Sequence, residues 1–317
     1  MIIDSTERFV IDNMGWVDKA ALWFLDLSTG TARQVPLGTG DYLTLMAGER
    51  DLFVAVRRES VSVLEATVHS AASPPDVLAQ LRVEQGRATF AGRVDLWASV
   101  PCVFVADHSR FANVVRPLLF LVDHRRGTVD FQELPWYSDG YDLMYQGLLD
   151  PVPVPDSDLL LMPIQRDSEP VIYDLTERRK VGTMKLADRH GNPTPRFRRT
   201  ASELWADDYD TILRLDVKSW RVRDALRLQE DIVTTVQGRE SRGGAFIGQY
   251  CFDLDEVQCA VARPFSGDVV ILDTASFRQA RRVPTGSQPL QVALLRDGRV
   301  IARDWKSGNL IRAQVDK

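Results

Sequence analysis

A short run of apolar residues that ends in an aspartate recurs along this chain of 317 residues. The segment WFLDLSTGTARQVPLGTG at 23–40 matches VILDTASFRQARRVPTGS at 270–287, with Asp26 opposite Asp273 and Pro36 opposite Pro284. Apolar segments bounded by Gly, Asp, Ser and Pro are typical of short antiparallel strands joined by tight turns. The repeat therefore predicts an all-β fold built from one structural unit used many times.

Further copies of the pattern include LFLVDHRRG at 119–127 and TILRLDVKSW at 211–220. Glu65 takes the aspartate position in one copy, and Ala313 takes it in a degenerate last copy. The seven anchor positions are 26, 65, 123, 174, 216, 273 and 313. They recur about every 40 to 60 residues, which is the length of one four-stranded β unit in an array. We predict that each aspartate accepts hydrogen bonds from backbone N–H groups of the turn that follows it.

Residues 268–306 read as strand, Asp, turn, strand, Pro-Thr-Gly, strand, Asp-Gly, strand, and residues 20–60 match nearly as well. This order resembles the β-propellers with surface-layer (YVTN-like) repeats, while 67–117 and 221–262 match it poorly. The resemblance implies a single β-propeller domain over 1–317, with seven four-stranded blades and six as the alternative. It also implies that N- and C-terminal strands close the ring in one blade, because propellers avoid a free sheet edge.

The charge balance and the chain ends restrict the partners that we expect. The formal net charge is −5, so no basic footprint indicates a nucleic-acid partner. The basic runs RFRRT at 196–200 and RQARR at 278–282 are interpreted as solvated strand edges or loops. The N-terminus does not read as a signal peptide, and no apolar run approaches the roughly 18 residues of a membrane span. We therefore expect a soluble, cytoplasmic monomer that does not bind a membrane.

Three cysteines, an odd number at long spacings, do not indicate a disulfide framework or a CxxC metal site. Cys251 and Cys259 are predicted to lie on neighbouring strands without implying a bridge. We interpret each cysteine as a small buried apolar residue, which fits a reducing compartment.

In a propeller, loops entering the innermost strands and loops between the two middle strands line one mouth of the central channel. The repeat predicts that these distant segments converge on that mouth. The predicted entry loops are 38–42, 136–142, 188–198, 238–244 and 285–289. The predicted middle loops are 57–60, 106–110, 165–170, 206–210, 262–267 and 304–308.

The candidate ligand-binding residues come from these loops. Within WYSDGYD, aromatic rings can stack on a ligand and aspartates can accept hydrogen bonds, although Trp136 packing between blades is an alternative interpretation. Carboxylates in ADDYD suit a hard cation, but the EF-hand spacing is absent, so no metal site is predicted. The full set of candidates is Trp136, Tyr137, Asp139, Tyr141, Arg196, Arg198, Asp207, Asp208, Asp304 and Trp305.

Two histidines, His108 and His190, fall on the predicted mouth and are the weak candidates for a general base. The alternative for each is a loop side chain with local hydrogen bonds. No catalytic signature, phosphate-binding loop or dinucleotide fingerprint supports a particular chemistry, so the cofactor stays unknown.

Two hypotheses for function follow. The first is a propeller scaffold that binds a protein partner or a small molecule over the central channel. The second is a propeller enzyme, a lyase or lactonase-like hydrolase, with a polar and metal-assisted site in the channel mouth. The sequence leaves open whether the chain is catalytic.

Overall fold

The structure is a computed structural model, in which the elements are β-strands that pair antiparallel with their sequence neighbours. It describes residues 2–4, 6–13, 21–36, 41–47, 52–60, 63–70, 77–84, 87–92, 102–108, 115–123, 128–133, 152–154, 157–162, 170–184, 195–198, 203–229, 232–236, 239–243 and 245–313. No helix occurs in these residues. Backbone contacts divide the chain into two units, Met1–Met144 and Tyr145–Lys317, which are described separately.

The described residues of the first unit form three sheets. The first sheet is β1 (Ile2–Ile3), β2 (Phe9–Asn13), β3 (Ala21–Asp26) and β4 (Thr31–Pro36). The second is β5 (Asp41–Ala47), β6 (Leu52–Ser60), β7 (Val63–Ser70), β8 (Val77–Glu84) and β9 (Arg87–Gly92). The third is β10 (Cys102–His108), β11 (Val115–Asp123) and β12 (Thr128–Glu133).

The second unit contains three four-stranded sheets, one three-stranded sheet and one hairpin among its described residues. The first four-stranded sheet consists of β13 (Val152–Pro153), β14 (Leu159–Met162), β15 (Val171–Asp174) and β16 (Arg179–Thr183). The second consists of β17 (Arg196–Arg198), β18 (Glu203–Asp208), β19 (Thr211–Asp216) and β20 (Arg221–Arg227). The hairpin is β21 (Ile232–Val236) and β22 (Arg239–Gly243). The third four-stranded sheet consists of β23 (Tyr250–Phe252), β24 (Gln258–Arg263), β25 (Asp268–Asp273) and β26 (Arg278–Pro284). The three-stranded sheet consists of β27 (Pro289–Leu294), β28 (Val300–Asp304) and β29 (Leu310–Ala313).

Within the second unit, consecutive sheets pack face to face. Trp205 of β18 and Tyr250 of β23 belong to one buried cluster that joins their two sheets. Ile271 of β25 and Val292 of β27 belong to the next cluster, between the last two sheets. The backbone N–H of Gln249 also donates to the carbonyl of Leu290 (2.7 Å), so these sheets are joined by hydrogen bonds as well as by packing.

Burial explains the uninterrupted apolar runs of the sequence. The middle strand β25 has four consecutive buried residues, because both of its faces are covered by neighbouring sheets. Its partner β26, which contains the RQARR run, is exposed along most of its length. The interpretation of that run as a solvated strand edge is therefore confirmed.

The predicted role of the aspartates is confirmed at four anchors. Asp273 accepts hydrogen bonds from the backbone N–H (2.7 Å) and hydroxyl (2.6 Å) of Ser276, and equivalent turns follow Asp26, Asp174 and Asp216. The residue four positions later is in the left-handed region, with φ between 53° and 69°, in each of these turns: Gly30, Arg178, Trp220 and Phe277. The turn, rather than one residue type, is what repeats.

The expectation for the second copy of the repeat differs from the structure. Glu65 does not end a strand: it lies inside β7, opposite Arg82 of β8, because the second sheet has long strands that run past the expected turn. The N-terminal strands pair with β3 and complete the first sheet, which has no C-terminal member among the described residues. Closure of the ring by strands from both chain ends stays a prediction.

Candidate functional site

Four aromatic side chains from separate segments of the second unit contact one another. Phe246, which precedes β23, lies edge-on to Trp305 of the β28–β29 turn, with ring centroids 5.2 Å apart. It also contacts Phe265 of the β24–β25 turn (5.0 Å) and Tyr209 of the β18–β19 turn (6.3 Å). Phe265 and Trp305 complete the group at 6.0 Å. We call these four residues the aromatic cluster.

The aromatic cluster is accessible to solvent. Trp305 is 48 % exposed and Phe265 is 39 % exposed, whereas Trp205 and Tyr250 in the core are 0 % and 1 % exposed. Phe265 and Trp305 differ from the other exposed apolar residues in that their rings contact each other. Because aromatic rings offer a large contact area and few rotatable bonds, they are common centres of binding energy.

Hydrogen bonds of the surrounding turns hold the rings in place. The backbone N–H of Ile247 donates to the carbonyl of Tyr209 (2.6 Å), which fixes Phe246 beside the Tyr209 turn. Tyr209 itself has a left-handed backbone, with φ 54°. The backbone N–H of Trp305 donates to the carbonyl of Gln288 (2.8 Å), which ties the Trp305 turn to the segment that precedes β27. The rings are therefore positioned by backbone contacts that do not depend on a ligand.

The turns that carry Tyr209 and Phe265 each contain an ion pair between residues of the protein itself. Arg263 forms two hydrogen bonds with Asp268 (2.7 and 2.5 Å), and its third contact goes to the carbonyl of Leu228 (2.7 Å). Asp210 is 2 % exposed and binds Arg227 at 2.8 Å. The acidic groups are thus turned inward, while the side chain of Arg227 remains 48 % exposed.

Three of the six predicted middle loops meet at this cluster. They are 206–210, 262–267 and 304–308, which carry Tyr209, Phe265 and Trp305. Of the predicted binding residues, Trp305 is therefore part of the exposed surface. Its neighbour Asp304 is 8 % exposed and accepts hydrogen bonds from the backbone N–H groups of Gln288, Lys306 and Ser307. These bonds lower the pKa of Asp304, and the bond from the Ser307 backbone is the largest cause. These contacts give Asp304 a part in shaping the turn.

Arg198 and Arg196 lie on the short strand β17 and point to the interface between the second and third four-stranded sheets of this unit. Arg198 donates to the carbonyl of Glu256 (3.1 Å) and forms an ion pair with Glu203 (3.2 Å), with 15 % of its side chain exposed. The guanidinium carbon of Arg196 lies 5.7 Å from the centre of the Tyr250 ring. Their contacts are those of packing between sheets.

Asp207 and Asp208 end strand β18, where Asp208 is 5 % exposed. Burial raises the pKa of Tyr250, and the negative charge of Asp207 raises it further. The Asp207 carboxylate therefore lies near the interface between the sheets. Within the described parts of the chain, no group of three or more His, Cys, Asp or Glu side chains is arranged to hold a metal ion.

The remaining candidates stay predictions. Residues Trp136, Tyr137, Asp139, Tyr141 and His190 lie outside the described residues. His108 is the last residue of β10, in the first unit, where its backbone pairs with Val115. No observation within the described residues favours either histidine as a base.

Cys251 and Cys259 are free thiols within the core. Cys251 of β23 and Cys259 of β24 are on neighbouring strands, as predicted, but their side chains pack in different clusters of the core. Burial raises the pKa of Cys251 to about 11 and raises the pKa of Cys259 well above its usual range. Neither thiol is suited to act as a nucleophile near neutral pH.

Sequence reasoning missed Tyr209, Phe246 and Phe265. The loops that hold Tyr209 and Phe265 were predicted, but the candidates in 206–210 were the carboxylates Asp207 and Asp208, and no residue of 262–267 was a candidate. Phe246 follows the predicted entry loop 238–244, part of which is strand β22. The signal in the sequence is that three of the predicted middle loops contain one aromatic residue each, Tyr209, Phe265 and Trp305.

The comparisons with known proteins agree on the fold. No protein-family model and no curated protein matches the sequence. Among solved structures, Kuenenia stuttgartiensis hydrazine synthase matches with a TM-score of 0.63 at 13% identity, covering 99% of this chain and 94% of the other. The Swd1 β-propeller domain of Myceliophteria thermophila matches with a TM-score of 0.61 at 11% identity, covering 99% and 95%. Pseudomonas aeruginosa periplasmic gluconolactonase matches with a TM-score of 0.59 at 15% identity, covering 97% and 94%.

Such low identities carry information on fold alone. No helix in the described part of the chain has the length and apolar character of a membrane span. With the antiparallel sheets in sequence order and these structural neighbours, the chain has a β-propeller fold.

Proposed function

We propose that this protein is a non-enzymatic propeller scaffold that binds a protein partner through the aromatic cluster. The observation that carries the proposal is the contact of Phe265 and Trp305 on an exposed surface, where both rings are held by turns of different sheets. A rigid frame that presents exposed aromatic rings loses little entropy on binding, because the frame and the rings are already ordered.

The same proposal includes seven blades, a cytoplasmic location and a site over the channel mouth. Seven sheets of three or more strands occur among the described residues, and the β21–β22 hairpin is interpreted as an insertion between two of them. The three turns of the aromatic cluster each join the second and third strands of a sheet, which is the position expected for mouth loops. These two features support the proposed number of blades and the proposed place of the site.

The energetic expectation is specific. Substituting an exposed aromatic residue at the centre of an interface costs about 2 kcal/mol or more of binding free energy, which lowers affinity at least about 30-fold. The same change on the free protein removes only surface contacts and leaves the free energy of unfolding within about 1 kcal/mol.

The proposal is tested by affinity capture from an extract of the native host, with three forms of the protein as bait. These are the unaltered chain, a Phe265→Ala and Trp305→Ala double variant, and a control with Leu254→Ala and Val257→Ala. The control residues are 38 % and 55 % exposed and lie in the β23–β24 turn, away from the cluster in sequence. We expect the unaltered chain and the control to capture the same protein, and the aromatic variant to lose it while its melting temperature stays within a few degrees. Equal capture by all three forms would contradict the proposal.

A further inference from the structure

Two buried side-chain nitrogens on neighbouring strands have no acceptor in the protein. They are Nε of Arg196 on β17 and Nε1 of Trp205 on β18. The two residues are direct partners in the register of these strands, so both side chains lie on one face of the sheet, with Cβ atoms about 5 Å apart. A buried N–H group without an acceptor is costly and rare in folded proteins, so two of them on adjacent side chains require a common explanation.

The charge of Arg196 also has no counter-charge. Its side chain forms no hydrogen bond or ion pair with any described residue, and its guanidinium carbon lies 5.7 Å from the centre of the Tyr250 ring. Of the two other such nitrogens among the described residues, Nε1 of Trp23 belongs to the first unit, and Arg281 donates through its Nη2 to Gln258 (3.0 Å). A cation withdrawn from water is normally compensated by a negative group. Arg196 therefore favours an acceptor that carries negative charge over a neutral one such as water.

This guanidinium lies in the interface between the second and third four-stranded sheets of the second unit. Burial raises the pKa of Tyr250 and the pKa of Cys251, and the positive charge of Arg196 opposes the rise in both, so the charge is close to both side chains. The hydroxyl of Tyr250 also donates to the carbonyl of Trp205 (2.8 Å), which fixes the ring beside β18. Arg196 itself is partly exposed, so solvent reaches this part of the interface.

Two acids share the Trp205 face of β18, because alternate residues of a strand lie on one side: Glu203 and Asp207. Glu203 is shared among three arginines, of which Arg198 is the closest at 3.2 Å. Asp207 lies near Tyr250, whose pKa its charge raises after burial has done so, and it takes part in other interactions. Neither acid forms an ion pair with Arg196 in the described part of the chain.

The acids of the facing sheet are also bound to their own surroundings. Asp253 is 7 % exposed and accepts hydrogen bonds from the backbone N–H groups of Val257 (2.8 Å) and Gln258 (3.2 Å). Asp273 accepts the bonds of its own turn, and Glu256 takes part in other interactions. The described carboxylates of both sheets therefore leave the Arg196 cation without an ion pair.

We propose that Arg196 and Trp205 bind the carboxylate group of a small molecule between the second and third four-stranded sheets. The Nε–H of an arginine and the Nη–H on the same edge of its guanidinium are parallel, and they match the two oxygens of a carboxylate. The indole N–H of Trp205 is a third donor, and the negative charge of the ligand offsets the Arg196 cation. This site is separate from the aromatic cluster and does not depend on the proposed function.

The test is a titration of the full-length protein with sodium formate and, separately, with sodium chloride, at an ionic strength held constant with a bulky sulfonate. The readouts are the indole N–H signal of Trp205 in NMR spectra, assigned as the signal that Trp205→Phe removes, and the melting temperature, which a ligand of the folded protein raises. We expect both to change and saturate with formate. Arg196→Lys keeps the charge but lacks the parallel N–H groups, so we expect it to weaken formate binding at least about tenfold. The control Arg179→Lys, at an exposed arginine of β16, is expected to change it less than about twofold.

Each other outcome overturns a stated part of the proposal. Melting temperatures that formate raises equally in the unaltered chain and in Arg196→Lys would show that water satisfies both donors. Equal binding of chloride and formate would overturn the preference for a carboxylate, and equal weakening in Arg179→Lys would overturn the place of the site. Because Trp205 is fully buried, Trp205→Phe serves only to assign the signal. If that variant does not fold, the melting temperatures of the unaltered chain, Arg196→Lys and Arg179→Lys decide the question without it.

Discussion

Arg263 and Asp268 face each other at the start of the β24–β25 hairpin, joined by two parallel hydrogen bonds of 2.7 and 2.5 Å. Their side chains are 6 % and 14 % exposed, and Phe265 lies in the turn between them. Arg263 also binds the carbonyl of Leu228, at the base of the β21–β22 hairpin. One arginine thus connects the Phe265 turn to the end of β20.

Replacing Asp268 with alanine is expected to destabilise the protein by about 3 kcal/mol, because it leaves the buried Arg263 charge without its partner. Chemical denaturation of the two forms measures the difference. Asp255→Ala is the control, since Asp255 pairs with Arg296 where both side chains are about half exposed and the contribution is under about 1 kcal/mol. A loss for Asp268→Ala no larger than that of the control would show that the pair is not important for the turn.

Gly248 is expected to tolerate no side chain. A Cβ atom there would lie 2.4 Å from the carbonyl oxygen of Leu290 and 3.0 Å from the Cβ of Ala262. Because backbone of the next sheet is the obstacle, Gly248→Ala is expected to lower the free energy of unfolding by about 2 kcal/mol or more. Gly182→Ala is the control, since its Cβ would meet only the Ile172 side chain at 3.9 Å. Equal unfolding free energies for the two variants would mean that the sheets separate easily at Leu290.

The turn aspartates predict how stability depends on acid pH. The hydroxyl and backbone N–H of Ser276 lower the pKa of Asp273 below its usual value. A carboxyl group whose pKa is lowered by folding stabilises the protein above its unfolded pKa of about 3.9 and loses that effect as the pH falls through the folded pKa. Asp273→Ala is therefore expected to cost about 1 kcal/mol at pH 7 and progressively less below pH 4. Melting temperatures of both forms from pH 7 to pH 3 measure this, and a constant difference across the range would contradict it.

The parts of the fold that were predictable are those fixed by local sequence. The Asp273 turn is recognised because its carboxylate, its serine and its left-handed residue lie within five positions. Glu65 was misplaced since an apolar run before an acid does not by itself end a strand when the pairing continues to Arg82. The repeat brings the loops 206–210 and 304–308 to one face, but it does not show that Tyr209 and Trp305 both contact Phe246, because that depends on how the individual side chains pack.

Arg198 was predicted as a ligand-binding residue, and its contacts indicate a structural role instead. It donates to the Glu256 carbonyl and pairs with Glu203 at 15 % exposure. Arg198→Ala is expected to lower the free energy of unfolding by about 2 kcal/mol, because it leaves Glu203 and a carbonyl with fewer partners. Denaturant unfolding measures the change, with the exposed Arg179→Ala as the control. An unfolding free energy like that of the control would restore Arg198 as a surface residue.

Cys251 and Cys259 are expected to resist modification in the native protein. Burial raises the pKa of Cys251 to about 11, so about one molecule in a thousand carries its thiolate at pH 8. The measurement is the rate of alkylation by iodoacetamide at pH 8, in a Cys102→Ser background so that only these two thiols are counted. We expect the native rate to be at least a hundredfold below that of the protein in denaturant. Because both thiols are covered by packing between sheets, Gly248→Ala is expected to raise the rate, whereas Gly182→Ala is not. Fast alkylation of the unaltered native chain would contradict the burial of β23 between its neighbours.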